Sequence, residues 1–227
     1  MRTHLDPTAP IARDAVLTED PKGAMDLAVA LCDSPRMSNL AHGLWGYHGT
    51  TPGGRALTIQ ATGIGGPSAF AVVSDLARLG VERVVRIGSC MSLDATLEPG
   101  SILVAGEVEP CDGVGRALCE GARMVPDEPL TKALLRVNEA GVGRTVRSVD
   151  LYPDRQEIAA GIAALDLSSG AVAGAARSCG PTWACALVVA ESAGGWGLER
   201  EALDEALLGL GMRAGAALEA VRQAPAP

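Results

Sequence analysis

The stretch ATGIGGPSAFAVVSDLARLGVERVVRIGSC, residues 61–90, constrains the fold more than any other part of the chain. A glycine-rich turn opens a helix that has Pro67 near its start and Gly80 at its end, the residues favoured at those boundaries. The apolar strand VERVVRIGS follows and stops in a second tight turn at Gly88. Strand, turn, helix and strand in that order form the repeating unit of an α/β sheet. Both turns fall at the carboxyl ends of strands, where such sheets place small polar or anionic ligands.

The remaining sequence continues the alternation. Residues 13–18 predict a first strand. Asp20 can cap the helix that follows, Pro21 suits its first turn, and Met25, Ala28, Val29 and Cys32 recur three and four apart. Residues 44–50 and 56–63 flank Pro52, Gly53 and Gly54, a hairpin signal. Further strands are expected over 101–110, 145–152 and 182–192, and helices over 129–140, 168–180 and 199–221. Residues 111–128 read as a glycine-rich charged loop, and 154–165 as amphipathic or irregular. The pattern predicts one α/β domain over residues 1–227, with a mixed, mostly parallel sheet flanked by helices. A length of 227 residues with 48% hydrophobic content is enough for one sizeable core. Aromatics supply only 3% of the chain, so Ala, Val, Leu and Ile must fill that core.

The formal net charge of -8, with no basic cluster, argues against a nucleic-acid partner. No run approaches the roughly 20 apolar residues of a membrane span, and the first ten residues lack the apolar core of a signal peptide, so a cytoplasmic location is expected. The six cysteines lack metal-site spacing. Cys90 follows the Gly-Ser turn, but a nucleophilic thiol there would need a base that the sequence does not supply.

Seven segments, in order, resemble the nucleoside phosphorylases of the purine/uridine phosphorylase superfamily: HLDPT (4–8), TEDPKGA (18–24), NLAHGLWGYHGT (39–50), TGIGGPSA (62–69), RIGSC (86–90), SVDLYP (148–153) and DLSSGAVAG (166–174). The resemblance implies a partly barrel-like sheet and a homodimer or trimer of dimers (a homohexamer) whose copies share active sites. It implies attack of phosphate on a nucleoside, giving free base and (deoxy)ribose 1-phosphate, with phosphate as co-substrate and no other cofactor.

It also assigns roles. Gly63, Gly65 and Gly66 would offer backbone amides to phosphate, Arg86 a bidentate guanidinium, and Ser89 a hydroxyl and an N–H. His42 stands where the family has a phosphate-binding arginine donated across the dimer. His4 would reach the ribose of a neighbouring subunit, Leu167 would pack on the sugar, and Tyr152 would stack on the base. Ser168 replaces a glutamate that holds the ribose hydroxyls, with Asp166 two residues before it. Leu151, Asp154, Arg155 and Gln156 fall beside the base pocket without reproducing a purine or uracil pattern. Glu191 and Ser192 stand where purine-type members protonate the departing base; Glu191 reads either as that acid or as a helix cap.

Three departures bear on activity. Gly23 replaces a phosphate-clamping arginine, Glu19 replaces a glycine and would repel phosphate, and Met91 adds bulk beside the Gly-Ser turn. Three readings therefore stay open: a divergent phosphorylase, a hydrolytic nucleosidase, and a non-catalytic binding or partner subunit. For the glycines and Arg86 there is a plainer reading, a turn that needs positive φ and an ion pair at the sheet edge.

Overall fold

The computed structural model describes residues 3–152, 160–192 and 194–223. The strands are β1 (Asp14–Thr18), β2 (Asp33–Asn39), β3 (Gly46–Thr50), β4 (Ala56–Ala61), β5 (Arg83–Ser92), β6 (Ile102–Pro110), β7 (Arg144–Ser148), β8 (Ala164–Asp166) and β9 (Thr182–Ser192). The helices are α1 (Pro21–Leu31), α2 (Gly66–Arg78), α3 (Gly113–Cys119), α4 (Glu128–Val137), α5 (Ser169–Cys179) and α6 (Arg200–Gln223).

One mixed sheet runs in the order β2-β3-β4-β1-β5-β8-β7-β6-β9, and a further pairing of β5 with β9 closes its second half. The strands β5, β8, β7, β6 and β9 thus form a small barrel, from which β1, β4, β3 and β2 extend as an open wing. β1 lies parallel to both β4 and β5, β5 is parallel to β9, and β7 is parallel to β6 and β8. The antiparallel pairs are β2–β3, β3–β4, β5–β8 and β6–β9. The expected single α/β domain with a mixed, partly barrel-like sheet is the fold observed.

Two apolar layers cover the sheet. Ala69, Val72 and Val73 of α2 and Ala171, Val172 and Ala175 of α5 pack on one side, and Leu27 of α1, Leu134 of α4 and Leu210 of α6 on the other. Strand parity decides which side chains reach which layer. Along β5, Val84 joins the α2/α5 layer, while Val85 and Ile87 join the α1/α6 layer. Arg86 shares the parity of Val84 and points away from α1 and α6.

Four elements depart from the sequence expectation. β5, expected to stop in a turn at Gly88, runs on through Gly88 and Ser89 to Ser92, held in strand by its pairing with β9. β2 lies in DSPRMSN, whose composition does not favour a strand; it forms as an irregular edge on β3, with two register shifts. α3 begins inside the stretch read as a loop. β8 occupies part of the stretch read as amphipathic or irregular, held between β5 and β7.

Candidate active site

The carboxyl ends of β1 and β4 meet beside the middle of β5, where Gly88 and Ser89 lie in extended strand and not in the turn expected there. The Thr62 N–H donates to the Thr18 carbonyl at 2.7 Å, and the Gly63 N–H donates to the Glu19 carbonyl at 3.1 Å. These bonds zip the β1–α1 turn to the β4–α2 turn. Gly63 has φ 69° and Gly65 φ 87°, the left-handed backbone that glycine adopts without a steric cost. Gly66 opens α2. The amide of Gly63, expected to face phosphate, is thus taken by Glu19.

A cavity of about 480 Å³ opens at these turns and runs between α1 and the first half of α6. Glu19, Gly63, Gly88 and Ser89 line its inner end; Ile87, Leu203, Leu207 and Leu208 give it an apolar wall. Lys22, Asp26, Arg200 and Asp204 stand along its sides. Each cation pairs within its own helix, Lys22 with Asp26 at 2.5 Å and Arg200 with Asp204 at 3.0 Å.

Arg86 lies behind this cavity and does not line it. It is 1% exposed, and each guanidinium nitrogen has a partner. Nε donates to Ser168 Oγ at 3.1 Å, Nη1 to Cys185 Sγ at 3.7 Å, and Nη2 to Ser168 Oγ at 2.7 Å. Nη2 also bonds Glu19 Oε1 at 2.6 Å and approaches Asp166 Oδ2 at 2.9 Å. Burial alone would make the guanidinium easier to deprotonate; the Asp166 and Glu19 carboxylates outweigh it and raise its pKa. Gly88 gives this cluster room, since a Cβ there would stand 2.9 Å from both Arg86 Nη2 and Glu19 Oε1.

Glu19 connects the two sides. Its side chain is 24% exposed, toward the cavity, while it holds Arg86 and accepts hydrogen bonds from the backbone and hydroxyl of Ser89. Burial pushes its carboxyl above the usual range, the Arg86 charge opposes that shift, and Asp166 adds to it. Tyr152 is 45% exposed, and its hydroxyl is pushed up to about 12 by burial and by the charges of Asp166 and Glu19.

Asp166 caps the start of α5. It accepts from the Ser169 N–H at 2.9 Å, the Ser169 hydroxyl at 2.7 Å and the Ser168 N–H at 3.2 Å. Ser168, expected at the ribose hydroxyls, instead gives both lone pairs of its oxygen to Arg86, and Leu167 beside it is partly buried. Sequence reasoning gave Asp166 little weight and passed over Asp112. The latter is fully buried, caps α3 through the Gly115 N–H at 2.7 Å, and fits only because Gly66, Gly115 and Gly170 carry no Cβ. Its signal was an Asp followed by a short apolar stretch, hidden in glycine-rich surroundings.

The other expected site residues stand elsewhere. Ser192 and Glu191 end β9, paired with Ser92 and Met91 of β5, and none of the four lines the cavity. The Ser192 hydroxyl donates to the Trp196 carbonyl at 3.2 Å. His4 rests on Asp75 of α2, with its N–H on Oδ2 at 2.5 Å, and its ring centroid lies 6.1 Å from that of His42. Neither histidine lines the cavity. Asp154, Arg155 and Gln156 lie outside the described residues. Cys90 is 2% exposed and its thiol is pushed well above the ordinary value by burial, which suits packing rather than nucleophilic attack. Among the described residues no cluster of His, Cys, Asp and Glu is arranged to hold a metal, and no helix is long and apolar enough to cross a membrane.

A family model described as the phosphorylase superfamily matches residues 13–223. A guanosine phosphorylase of Halorubrum lacusprofundi is 39% identical over 95 residues, covering 40% of this chain and 37% of that protein. A DeoD-type purine nucleoside phosphorylase of Caldanaerobacter subterraneus is 28% identical over 155 residues, 65% of this chain and 66% of that protein. Its counterpart in Oceanobacillus iheyensis is 27% identical over 117 residues, 51% and 49% of the two chains. The matched stretches thus span between about a third and two thirds of these relatives.

Proposed function

The chain belongs to the phosphorylase superfamily, and from that premise we propose that it is an enzyme that cleaves a nucleoside at its glycosidic bond, releasing the base and passing the pentose to an oxygen acceptor. The observation that carries this reading is the convergence of two strand-end turns, at Glu19 and Gly63, and of Gly88 and Ser89 within β5 on one cavity of about 480 Å³. Ligand sites of drug or metabolite size commonly occupy a few hundred Å³ and combine apolar walls with a few aimed polar groups. The relatives' names support phosphate as the acceptor at the level of the family, with pentose 1-phosphate as product and no further cofactor.

In this reading the leaving base departs as positive charge builds on the sugar, which the Glu19 carboxylate at the cavity favours. Tyr152 is the stacking residue for the base, and Glu191 and Ser192, at the end of β9 and off the cavity, leave protonation of the base to solvent. His4 and His42 stand together and off the cavity, so their service to a site requires a second copy of the chain; assembly as a dimer or larger homo-oligomer belongs to the proposal.

The test is release of free base from a panel of purine and pyrimidine nucleosides in phosphate buffer, followed by chromatography. Release from at least one nucleoside is expected. No release from any of them by folded protein would reject the reading and favour a binding or partner role.

A further inference from the structure

An oxygen acceptor must reach the sugar from the inner end of the cavity, where Glu19, Gly63, Gly88 and Ser89 stand. A phosphate dianion there needs free donors and positive charge. The Arg86, Gly63 and Ser89 donors expected to hold one are already engaged. The three guanidinium nitrogens of Arg86 are engaged by Ser168, Cys185, Glu19 and Asp166, and the Glu19 carboxylate stands between Arg86 and the cavity. Glu19 Oε1 already occupies the seat on Nη2, at 2.6 Å, that a phosphate oxygen would take. The Gly63 N–H is spent on the Glu19 carbonyl. Position 23, one turn into α1, carries no side chain. The cavity lining holds four carboxylates, Glu19, Asp20, Asp26 and Asp204, against two cations, Lys22 and Arg200, both already paired. A dianion entering this space meets a net negative wall.

The same arrangement suits a neutral acceptor. We propose that the acceptor at this site is water, with Glu19 as the base that takes its proton; this rests on the nucleoside-cleavage reading above. Ser89 and Arg86 orient the carboxylate from behind, and its remaining exposure faces the cavity. In the step, one proton of water passes to Glu19 and the water oxygen bonds the anomeric carbon. The glycosidic C–N bond breaks, its electron pair leaves with the base, and the base takes a proton from solvent. Glu19 then returns its proton to solvent, so the products are free base and free pentose. A base near its working pH is the more effective one, and the upward push on the Glu19 carboxyl moves it in that direction.

The experiment measures base by chromatography, and free reducing pentose against pentose 1-phosphate, with the intact chain and the nucleoside panel, with and without inorganic phosphate. Equal amounts of base and reducing pentose without phosphate are expected. Glu19→Gln should lower that rate by roughly 100-fold or more, the usual range for loss of a general base, and remove the acid limb of the pH profile. A thermal melt checks that the variant folds. Release that requires phosphate and yields pentose 1-phosphate would overturn this inference and leave nucleoside cleavage standing. So would an unchanged phosphate-free rate in folded Glu19→Gln. No release in either buffer would remove the cleavage reading itself, and this inference with it.

Discussion

At the scale of single residues, the site is organised by one buried guanidinium shared between two carboxylates. Arg86 at 1% exposure is tolerable only because Glu19, Asp166 and Ser168 answer its donors. Arg86→Met should therefore destabilise the fold by about 3–5 kcal/mol, the usual cost of leaving a buried ionic partner unpaired; chemical denaturation measures it. A second prediction concerns pH. The carboxyls of Glu19 and Asp112 are both held above their ordinary values, chiefly by burial. The folded state then binds these protons more tightly than the unfolded chain does. Their contribution to stability is greatest below the unfolded pKa and falls as pH rises toward the folded one. The urea midpoint should drop from mildly acidic to neutral pH, and Glu19→Gln should flatten that drop; an equal slope in both proteins would show that Glu19 does not titrate in that window. Arg86, Ser89 and the substitution of Glu19 for the family's glycine were all legible in the sequence. That Glu19 would fold back onto Arg86 was not, because the contact joins residues 67 apart in the chain.

At the scale of elements, Asp20 and Pro21 announced the start of α1, while the cap of α4 at Asp127 lay in the stretch read as loop. Asp20 accepts the Gly23 N–H at 2.9 Å, and Asp127 accepts the Leu130 N–H at 2.9 Å. The start of α3 at Asp112 uses the same chemistry but sits among glycines that masked its short helical run. Asp112 does more than cap its own helix: Gly66 at the start of α2 and Gly170 near the start of α5 both press against its carboxylate. Three helix N-termini, each with partial positive charge, thus face one carboxylate. Asp112→Ala should cost about 1–2 kcal/mol as a lost cap, read from a thermal or denaturant melt. Little change would mean that the neighbouring helix ends do not depend on it. β2 and β8 escaped the sequence reading because neither carries the alternation of a strand; their partners in the sheet impose the conformation.

At the scale of the molecule, closure of β5 on β9 converts half of an open sheet into a barrel. Leu187 lies at that seam, fully buried and in register with both Gly88 and Leu103. Leu187→Ala should destabilise the protein by about 2–5 kcal/mol in equilibrium unfolding, since neighbours in a closed barrel cannot collapse into the space. Local pattern in the chain was enough for the α/β class, the order of most elements and the glycine turn after β4, but it ended β5 at Gly88, whereas the strand runs on to Ser92. Those three features follow from local rules, namely hydrophobic period, capping and the φ that glycine permits. The chemistry of the meeting point was settled by three-dimensional packing. Strand parity turned Arg86 toward α5 and Ile87 toward the cavity, and long-range pairing seated Glu19 on the guanidinium. Which charge faces the ligand depends on distances between residues far apart in the chain, and no local pattern encodes those.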